Sequence, residues 1–278
     1  MTLTVHNRIA LVFDFDETLA PPTHKDLLKK ADIDEDERED FVSDLVADGW
    51  EVIMARSYSL IKASQESEHK ITRQMFQEIG EQLELFDGVQ EMFERLRACC
   101  DDDKIELEFY ILTAGFVEIP EATPIADEFK AIWGGAYAFD DNDDLAFVKR
   151  VITHEEKREY IQQLAKGTGT EGPNAPADTH QHMDEADMYV PFSQIIYVGD
   201  GSSDRPVFSL LKEKGGITIG LLKENNAVWK EERDLKEKQR VDTLVKADYR
   251  EDSELMQCLR LAVSSICQRI QLQRIGDE

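Results

Sequence analysis

Apolar and polar positions follow two different periods along the chain. Residues 8–13 form a largely apolar run of branched and aromatic side chains, which is typical of a strand buried on both faces of a parallel sheet. Three more runs of this kind cover residues 105–112, 194–198 and 216–220. Because helical patterns separate these runs, we predict an α/β fold with a parallel sheet.

The long segment between the first two predicted strands has no strand-like alternation. A helix with one buried face is indicated by apolar residues that recur every four positions, namely Ile71, Met75, Ile79 and Leu83. We therefore predict a small all-helical domain at residues 20–86, inserted after the first strand. Residues 1–19 and 87–278 are predicted to form the α/β core.

Shorter patterns predict the remaining elements. Thr153 precedes a predicted helix from His154 to Leu164, and Glu156 is placed to complete a capping box with it. An acidic turn at residues 140–144 lies between two apolar segments and indicates a β-hairpin. The other predictions are helices at residues 124–132, 205–214, 226–235 and 252–270, a short strand at 246–249 and a surface loop at 166–188.

The charge balance narrows the range of partners. The chain has 58 Asp and Glu against 32 Lys and Arg, a formal net charge of -26. Nucleic acids and anionic membranes attract basic surfaces, so neither is an expected partner. Solubility accounts for most of the acid excess, and moderate salt adaptation of the host is the alternative. No apolar run reaches the ~18 residues of a spanning helix, and the N-terminal residues do not resemble a secretory signal.

The cysteines add to this picture. None of the four lies in a Cys-x-x-Cys pair, and the adjacent Cys99 and Cys100 are poorly placed to bridge each other. We interpret these two, together with Cys258 and Cys267, as reduced thiols, which are typical of the cytoplasm. We therefore expect a cytoplasmic protein, either a monomer or a homodimer.

Polar side chains follow three of the predicted strands at the point where each strand ends. Asp14 and Asp16 follow the first strand, Thr113 follows the second, and Asp200 and Asp204 follow the third. In an open parallel sheet such positions meet at one edge. Four unpaired carboxylates there would repel one another, and Mg²⁺, which prefers carboxylate and water oxygens, would relieve the repulsion. A carboxylate beside such a cation can attack phosphorus, so the pattern points to phosphoryl chemistry.

These residues lie in motifs that resemble those of the haloacid dehalogenase-like superfamily. Residues 14–19 (DFDETL) are similar to its first motif, D-x-D-x-T-L, and residues 112–115 (LTAG) to its second, a Thr or Ser at a strand end. Residues 198–204 (VGDGSSD) are similar to its fourth motif, G-D-G-x-x-D. The resemblance covers about residues 8–19 and 87–250. It implies a Rossmann-like core with the insert as a C1-type cap, an architecture similar to the phosphoserine phosphatase branch.

The resemblance also implies a role for each matched residue. Asp14 is expected to be the nucleophile, and Asp16 the general acid and then the general base. Thr113 and Gly115 are expected to contact the phosphoryl group. The expected metal residues are Asp14, Asp16, Asp200 and Asp204, of which Asp16 contributes its main-chain carbonyl.

The lysine of the third motif has two candidates. Lys157 lies at the start of a predicted helix, as the family pattern requires, whereas Lys149 lies in a predicted hairpin strand. We favour Lys157 as the lysine that binds phosphate. Asp204 is then expected to orient this lysine or to support the metal shell.

The resemblance implies a Mg²⁺-dependent phosphatase that hydrolyses a small phosphorylated metabolite through an aspartyl-phosphate. Dehalogenases of the superfamily have no acid at the position of Asp16, which favours phosphoryl chemistry. The alternatives are a phosphotransferase or mutase of the same family and a non-catalytic regulatory protein that binds a phosphorylated ligand. Residues 47–67 lack the substrate-binding pattern of phosphoserine phosphatases, so the sequence names no substrate. Arg56, Tyr58 and Lys62 are the cap residues that we would test for substrate contact.

Overall fold

The computed structural model describes residues 6–67, 69–100, 104–168, 183–201, 203–222 and 241–277. Its strands are β1 (Arg8–Phe13), β2 (Glu106–Phe116), β3 (Ala131–Phe139), β4 (Leu145–Arg150), β5 (Ile195–Gly199), β6 (Ile217–Leu222) and β7 (Thr243–Lys246). Within the described residues they form one sheet in the order β4-β3-β2-β1-β5-β6-β7. The antiparallel pair is β3 with β4, and the other neighbours are parallel. This confirms the predicted α/β fold with a parallel sheet.

Helices cover the two faces of this sheet, and further helices lie in the insert. They are α1 (His24–Lys30), α2 (Glu35–Ala47), α3 (Val52–Glu66), α4 (Arg73–Gln82), α5 (Val89–Arg97), α6 (His154–Lys166), α7 (Arg205–Lys214) and α8 (Glu254–Asp277). Among the described residues, no helix is both long enough and apolar enough to cross a membrane.

The central strand β1 is buried on both faces, as its sequence predicts. Ile9, Leu11 and Phe13 join the apolar cluster that includes α5 and α8. Ala10 and Val12 join the cluster on the opposite face, with α6 and α7. Because both faces are covered, polar side chains can be placed only beyond the end of the strand, where Asp14 follows Phe13.

The insert is helical and its two ends meet. Helices α1 to α4 lie between residues 24 and 82. The amide of Phe86 donates a hydrogen bond of 2.9 Å to the carbonyl of Leu19, so the chain leaves and re-enters the core at one point. Leu60 and Phe76 of the insert belong to the same apolar cluster as α5 and α8. The insert is thus packed onto one face of the core.

Helix α6 begins as the sequence predicts. The Thr153 hydroxyl accepts a hydrogen bond from the amide of Glu156, whose side chain in turn accepts one from the amide of Thr153. This capping box satisfies two amides that would otherwise have no partner at the helix start. It fixes the first turn of α6, which carries Lys157.

Two sequence predictions are wrong in detail. The predicted helix at residues 124–132 is a 3₁₀ turn at Ala126–Glu128 followed by the start of β3. Residues 131–133 instead pair with β2, because strand pairing within the sheet outweighs a helical spacing of three apolar residues. The last strand lies at Thr243–Lys246, three positions before the predicted one.

The prediction of four reduced thiols is wrong for Cys100 and Cys267, which form a disulfide with their Cα atoms 6.2 Å apart. Cys100 follows α5 and Cys267 lies in α8, so the bond joins the two helices on one face of the sheet. The bond removes one support for a cytoplasmic location, which stays a prediction. Two predictions involve residues outside the described ranges: the helix at 226–235 and most of the loop at 166–188.

Candidate active site

Asp14 directly follows the central strand β1, at the edge of the sheet where the parallel strands end. The amide of Asp14 donates a hydrogen bond of 2.9 Å to the carbonyl of Val198 in β5, which holds the two strand ends together. Asp14 is 5% exposed, and its Oδ1 accepts a hydrogen bond of 2.8 Å from the amide of Phe15. Its Oδ2 faces a buried lysine.

That lysine is Lys157, in the first turn of α6. Its Nζ lies 3.0 Å from Asp14 Oδ2 and 2.8 Å from Asp204 Oδ1, and it donates a hydrogen bond of 2.8 Å to Ser203 Oγ. Its side chain has no exposed area. Lys149 lies on the edge strand β4 and is exposed. Of the two candidate lysines, the structure therefore brings Lys157 to Asp14.

Three carboxylates crowd around this single cation. Ligand oxygens of Asp14, Asp200 and Asp204 lie within 4.8 Å of one another, and all three residues are buried. Burial, together with the nearby Asp204 and Asp200, raises the pKa of Asp14 to about 8, although Lys157 opposes the shift. Burial lowers the pKa of Lys157, but attraction to Asp14 and Asp204 outweighs it and raises that pKa. Three buried carboxylates therefore lie beside one lysine, which contacts two of them, Asp14 and Asp204.

Asp204 is held by four donors. Its Oδ1 accepts hydrogen bonds from Lys157 and, at 2.7 Å, from the hydroxyl of Tyr197, and its Oδ2 accepts one of 3.1 Å from the amide of Gly201. Ser203 Oγ lies 3.5 Å from the same Oδ1. A Cβ on Gly199 would lie 2.6 Å from Asp204 Cγ, so only glycine leaves room for this carboxylate.

Asp16 points to a different environment. Its Oδ1 accepts hydrogen bonds from both the amide and the hydroxyl of Thr23, at 2.7 and 2.8 Å. Burial raises the pKa of Asp16, while these two hydrogen bonds oppose the rise. The chain turns tightly between Asp16 and Thr23, where Glu17 has a positive φ of 55°. The side chain of Asp16 is thus held by Thr23, the residue that precedes α1 in the insert.

The second motif forms a bulge in β2. Leu112 pairs with Trp133 and Phe116 with Gly135, so three residues of β2 face Gly134 alone. The buried Thr113 lies in this bulge, and its Oγ1 accepts a hydrogen bond of 2.9 Å from the amide of Gly115.

Gly115 lies between the two oxygens on which the predicted chemistry depends. A Cβ there would lie 3.1 Å from Asp16 Oδ2 and 3.2 Å from Thr113 Oγ1. The two side chains therefore face the same space beside a residue that has no side chain of its own.

The same architecture occurs in solved phosphatase structures. A phosphoserine phosphatase captured as an analogue of its phospho-aspartyl intermediate has a TM-score of 0.57 at 16% identity, covering 91% of this chain and 98% of that chain. A HAD family hydrolase from Salmonella enterica serovar Typhi has a TM-score of 0.61 at 12% identity, covering 92% and 71%. A probable phosphoserine phosphatase from Vibrio cholerae has a TM-score of 0.60 at 14% identity, covering 96% and 69%. The chain has the haloacid dehalogenase-like fold.

Similarity to known proteins is weaker in sequence than in three-dimensional structure. No protein-family model matches the chain. A protein of Borreliella burgdorferi, described as uncharacterised, is 23% identical over 150 residues, which cover 48% of this chain and 50% of that relative. The match spans about half the length of the curated relative. The haloacid dehalogenase-like fold, with the architecture of phosphoserine phosphatase, is therefore established by three-dimensional similarity.

Within the haloacid dehalogenase-like fold, the donor set at the strand ends fits a hard divalent cation. The buried carboxylates of Asp14, Asp200 and Asp204 supply oxygen ligands, which such cations prefer. A cation of charge +2 would offset the mutual repulsion of these three carboxylates. The side chain of Asp16 does not belong to this cluster within the described residues.

The cap candidates differ in their surroundings. Tyr58 stacks on Trp50 with ring centroids 5.0 Å apart, and Lys62 Nζ lies 4.4 Å from the ring centre of Phe41. These two side chains thus belong to an aromatic cluster on the surface of the cap. Arg56 is exposed and is an electrostatic neighbour of His24, which follows Thr23.

Sequence reasoning missed several residues that build the site. Ser203 lies inside the fourth motif but at one of its variable positions, so the motif gave it no role. Thr23 precedes α1 and Tyr197 lies in β5, and no pattern marks either as a partner of a carboxylate. Their contacts depend on the packing of elements that are distant in sequence.

Proposed function

We propose that this protein is a Mg²⁺-dependent phosphatase that hydrolyses a small phosphomonoester through an aspartyl-phosphate on Asp14. The observation that carries the proposal is the enclosed Lys157, which contacts both Asp14 and Asp204 beside the third carboxylate, Asp200. A nucleophilic carboxylate needs a cation nearby to accept an approaching phosphate dianion. The similar phosphoserine phosphatase captured as a phospho-aspartyl analogue supports the same chemistry.

In the first half of the reaction, an oxygen of Asp14 attacks phosphorus and the bond from phosphorus to the leaving oxygen breaks. Asp16 donates its proton to that oxygen, and the raised pKa of Asp16 favours the protonated form that this step needs. Lys157 and the hydroxyl of Thr113 stabilise the charge on the non-bridging oxygens. The leaving group departs as a neutral alcohol.

In the second half, Asp16 removes a proton from water and the resulting hydroxide attacks phosphorus. The bond from phosphorus to Asp14 breaks, which restores the carboxylate and releases phosphate. Asp14, Asp200 and the carbonyl of Asp16 would hold Mg²⁺, with Asp204 fixing Lys157 behind them. When bound, the cation supplies Lewis-acid stabilisation of the transferring group.

The test is hydrolysis of a panel of phosphorylated metabolites by the purified protein, with Mg²⁺ and with a chelator. We expect Mg²⁺-dependent release of phosphate that the Asp14→Asn variant loses by a factor of about 10³ or more, as for other catalytic nucleophiles. Asp252→Asn is the matched control, because Asp252 is exposed and lies two residues before α8. Undiminished hydrolysis by Asp14→Asn would exclude Asp14 as the nucleophile.

The same panel separates the alternatives. A phosphotransferase or mutase would pass the phosphoryl group to an added alcohol or to a second position of the substrate rather than to water. A regulatory protein would bind a phosphorylated ligand, seen by calorimetry, and release no phosphate. The complete set of catalytic side chains at one sheet edge favours hydrolysis over binding alone.

A further inference from the structure

Helix α8 is apolar on two opposite faces. One face packs into the apolar cluster that it shares with β1 and α5. The side chains of that face with no exposed area include Leu259, Val263, Ile266 and Ile270. On the other face three large apolar side chains are open to solvent, since Leu261 is 71%, Leu272 70% and Ile275 71% exposed. A surface helix usually has one apolar face, so the second indicates a further contact.

The exposed residues follow the spacing of a helix–helix contact. Leu261, Ser265, Gln268, Leu272 and Ile275 are all exposed, and they are alternately four and three positions apart. At about 100° per residue they lie in one narrow strip, directly opposite the buried face. The alternation of four and three is typical of the seam between two paired helices. We call these five residues the α8 stripe.

The α8 stripe has a similar pattern in both directions. It is apolar at Leu261 and again at Leu272 and Ile275, and it is polar between them, at Ser265 and Gln268. An antiparallel second copy, related by a twofold axis between Ser265 and Gln268, would place its Leu272 against Leu261. Ser265 would then face Gln268 of the second copy, and its hydroxyl could donate a hydrogen bond to the amide oxygen. The stripe is thus complementary to itself, as a twofold interface requires.

The charge of α8 differs from that of the rest of the chain. The chain has a net charge of -26, whereas residues 255–276 contain three arginines and no Asp or Glu. The groups that these arginines contact lie outside the α8 stripe; they are Glu251 for Arg260, the carbonyl of Ser193 for Arg269 and Asn7 for Arg274. Two copies of so acidic a chain repel each other, and a face without carboxylates is where they can approach most easily.

The α8 stripe is presented by a helix that is fixed to the core at several points. The disulfide between Cys100 and Cys267 joins α8 to the end of α5. Near the end of α8, Arg274 Nη2 donates a hydrogen bond of 2.7 Å to Asn7 Oδ1, just before β1. The position of the helix is therefore set before any partner arrives, which lowers the entropy that association costs.

We propose that the α8 stripe is the interface of a homodimer in which the α8 helices of two copies pack antiparallel about a twofold axis. A second copy is the occupant because the pattern is complementary to itself and because this face lacks the carboxylates that would repel an equally acidic chain. One helix pair should bury less than the ~1,200 Å² of a standard interface, so we expect a weak dimer with a Kd of about 1–100 µM. The dimer does not depend on the proposed function, since the stripe contains no residue of the site.

Sedimentation velocity of the full chain at about 1–200 µM measures the association. A salt concentration of about 0.3 M screens the repulsion between the copies. The wild type should shift from monomer to dimer over this range. Leu261→Glu should weaken association about hundredfold or more, because its carboxylate would be buried against Leu272 of the second copy, and Leu272→Lys should do the same. Phe147→Glu is the matched control, since Phe147 is 67% exposed but lies on the edge strand β4, and it should leave the Kd unchanged.

The double variant Leu261→Glu, Leu272→Lys tests the antiparallel arrangement. Within one copy the two positions are about 16 Å apart along the helix and do not meet. Across the proposed axis, each introduced carboxylate faces an introduced ammonium group of the second copy. The double variant should therefore associate at least about tenfold more tightly than either single variant. A parallel helix pair would give no such recovery.

Thermal unfolding of each variant shows whether it is folded. Three results would overturn the proposal: a wild type that stays monomeric at about 200 µM, a dimer that both single variants retain, or a double variant without recovery. A monomeric wild type whose Tm falls in Leu261→Glu would show that another segment of the same chain covers the α8 stripe, which also excludes the dimer.

Discussion

Lys157 Nζ lies 3.0 Å from Asp14 Oδ2, and both residues are buried. The contact joins the first turn of α6 to the end of β1. It depends on the capping box that fixes the start of that helix. Lys157 thus neutralises part of the charge of two buried carboxylates, Asp14 and Asp204.

Replacing Lys157 tests the choice between the two candidate lysines. Lys157→Met should lower kcat by about 10²- to 10³-fold, because a donor to the transferring group is lost. It should also destabilise the protein by roughly 3–5 kcal/mol, since Asp14 and Asp204 stay buried without their partner. Lys149→Met is the matched control and should change neither kcat nor Tm appreciably. The reverse outcome would show that Lys149 is the phosphate-binding lysine.

Asp16 can be tested through the leaving group. Asp16→Asn cannot donate a carboxyl proton, so hydrolysis of alkyl phosphates, whose alkoxide is a poor leaving group, should fall about 10²- to 10⁴-fold. Hydrolysis of p-nitrophenyl phosphate should fall much less in its first step, because nitrophenolate leaves without protonation. Burst kinetics measure that step directly. An equal loss of the burst rate on both kinds of ester would argue against a general acid at this position.

Metal binding and pH should be linked through Asp14. The pKa of Asp14 is raised to about 8 from its ordinary value of 3.8, so the metal-free protein binds this proton more tightly when folded. The contribution of protonated Asp14 to the free energy of unfolding is complete below about pH 4 and is lost as pH rises towards about 8. In chelator, Tm should therefore fall over this range, and the fall should be smaller in Asp14→Asn.

Mg²⁺ should reverse this loss, because the cation binds the deprotonated carboxylate. A ligand at one hundred times its Kd contributes about 2.7 kcal/mol, and 1 kcal/mol corresponds to roughly 2–4 °C in a domain of this size. The gain in Tm should thus be about 5–10 °C near pH 8 and much less near pH 5. Differential scanning fluorimetry measures it. An equal gain at both pH values would contradict the assignment of Asp14 as a ligand.

Gly199 has a steric role that a single methyl group tests. In Gly199→Ala the new Cβ would lie 2.6 Å from Asp204 Cγ, so the carboxylate that holds Lys157 must move. We expect a loss of about 1–3 kcal/mol in the free energy of unfolding and a fall in kcat. Gly276→Ala is the control, because nothing lies within 4 Å of its Cβ and alanine suits a helix. Unchanged kcat in Gly199→Ala would show that Asp204 need not be fixed.

Part of this arrangement can be predicted from local sequence patterns. The bounds of β1 and α7, and the capping box of α6, match the sequence predictions because apolar runs and capping residues act over a few positions. The motif residues converge because parallel strands end at one edge. The Cys100–Cys267 disulfide has no such signal, since its partners meet only after α5 and α8 have packed.

Arg38 shows where local patterns mislead. The acid-rich segment around it predicts a solvent-exposed helix face, and most residues of α2 are indeed exposed or half-buried. The buried position of this one arginine depends on how α2 packs against α3. The helix predicted at 124–132 fails for a related reason, because the neighbouring strand decides the structure of that segment.

The hydrogen bond between Phe86 and Leu19 also bears on how such a protein can change over generations. Because the insert departs and returns at one point, its length and composition can vary without altering the register of β1 with β2 or β5. The residues at the strand ends and the residues of the insert can therefore change independently of each other.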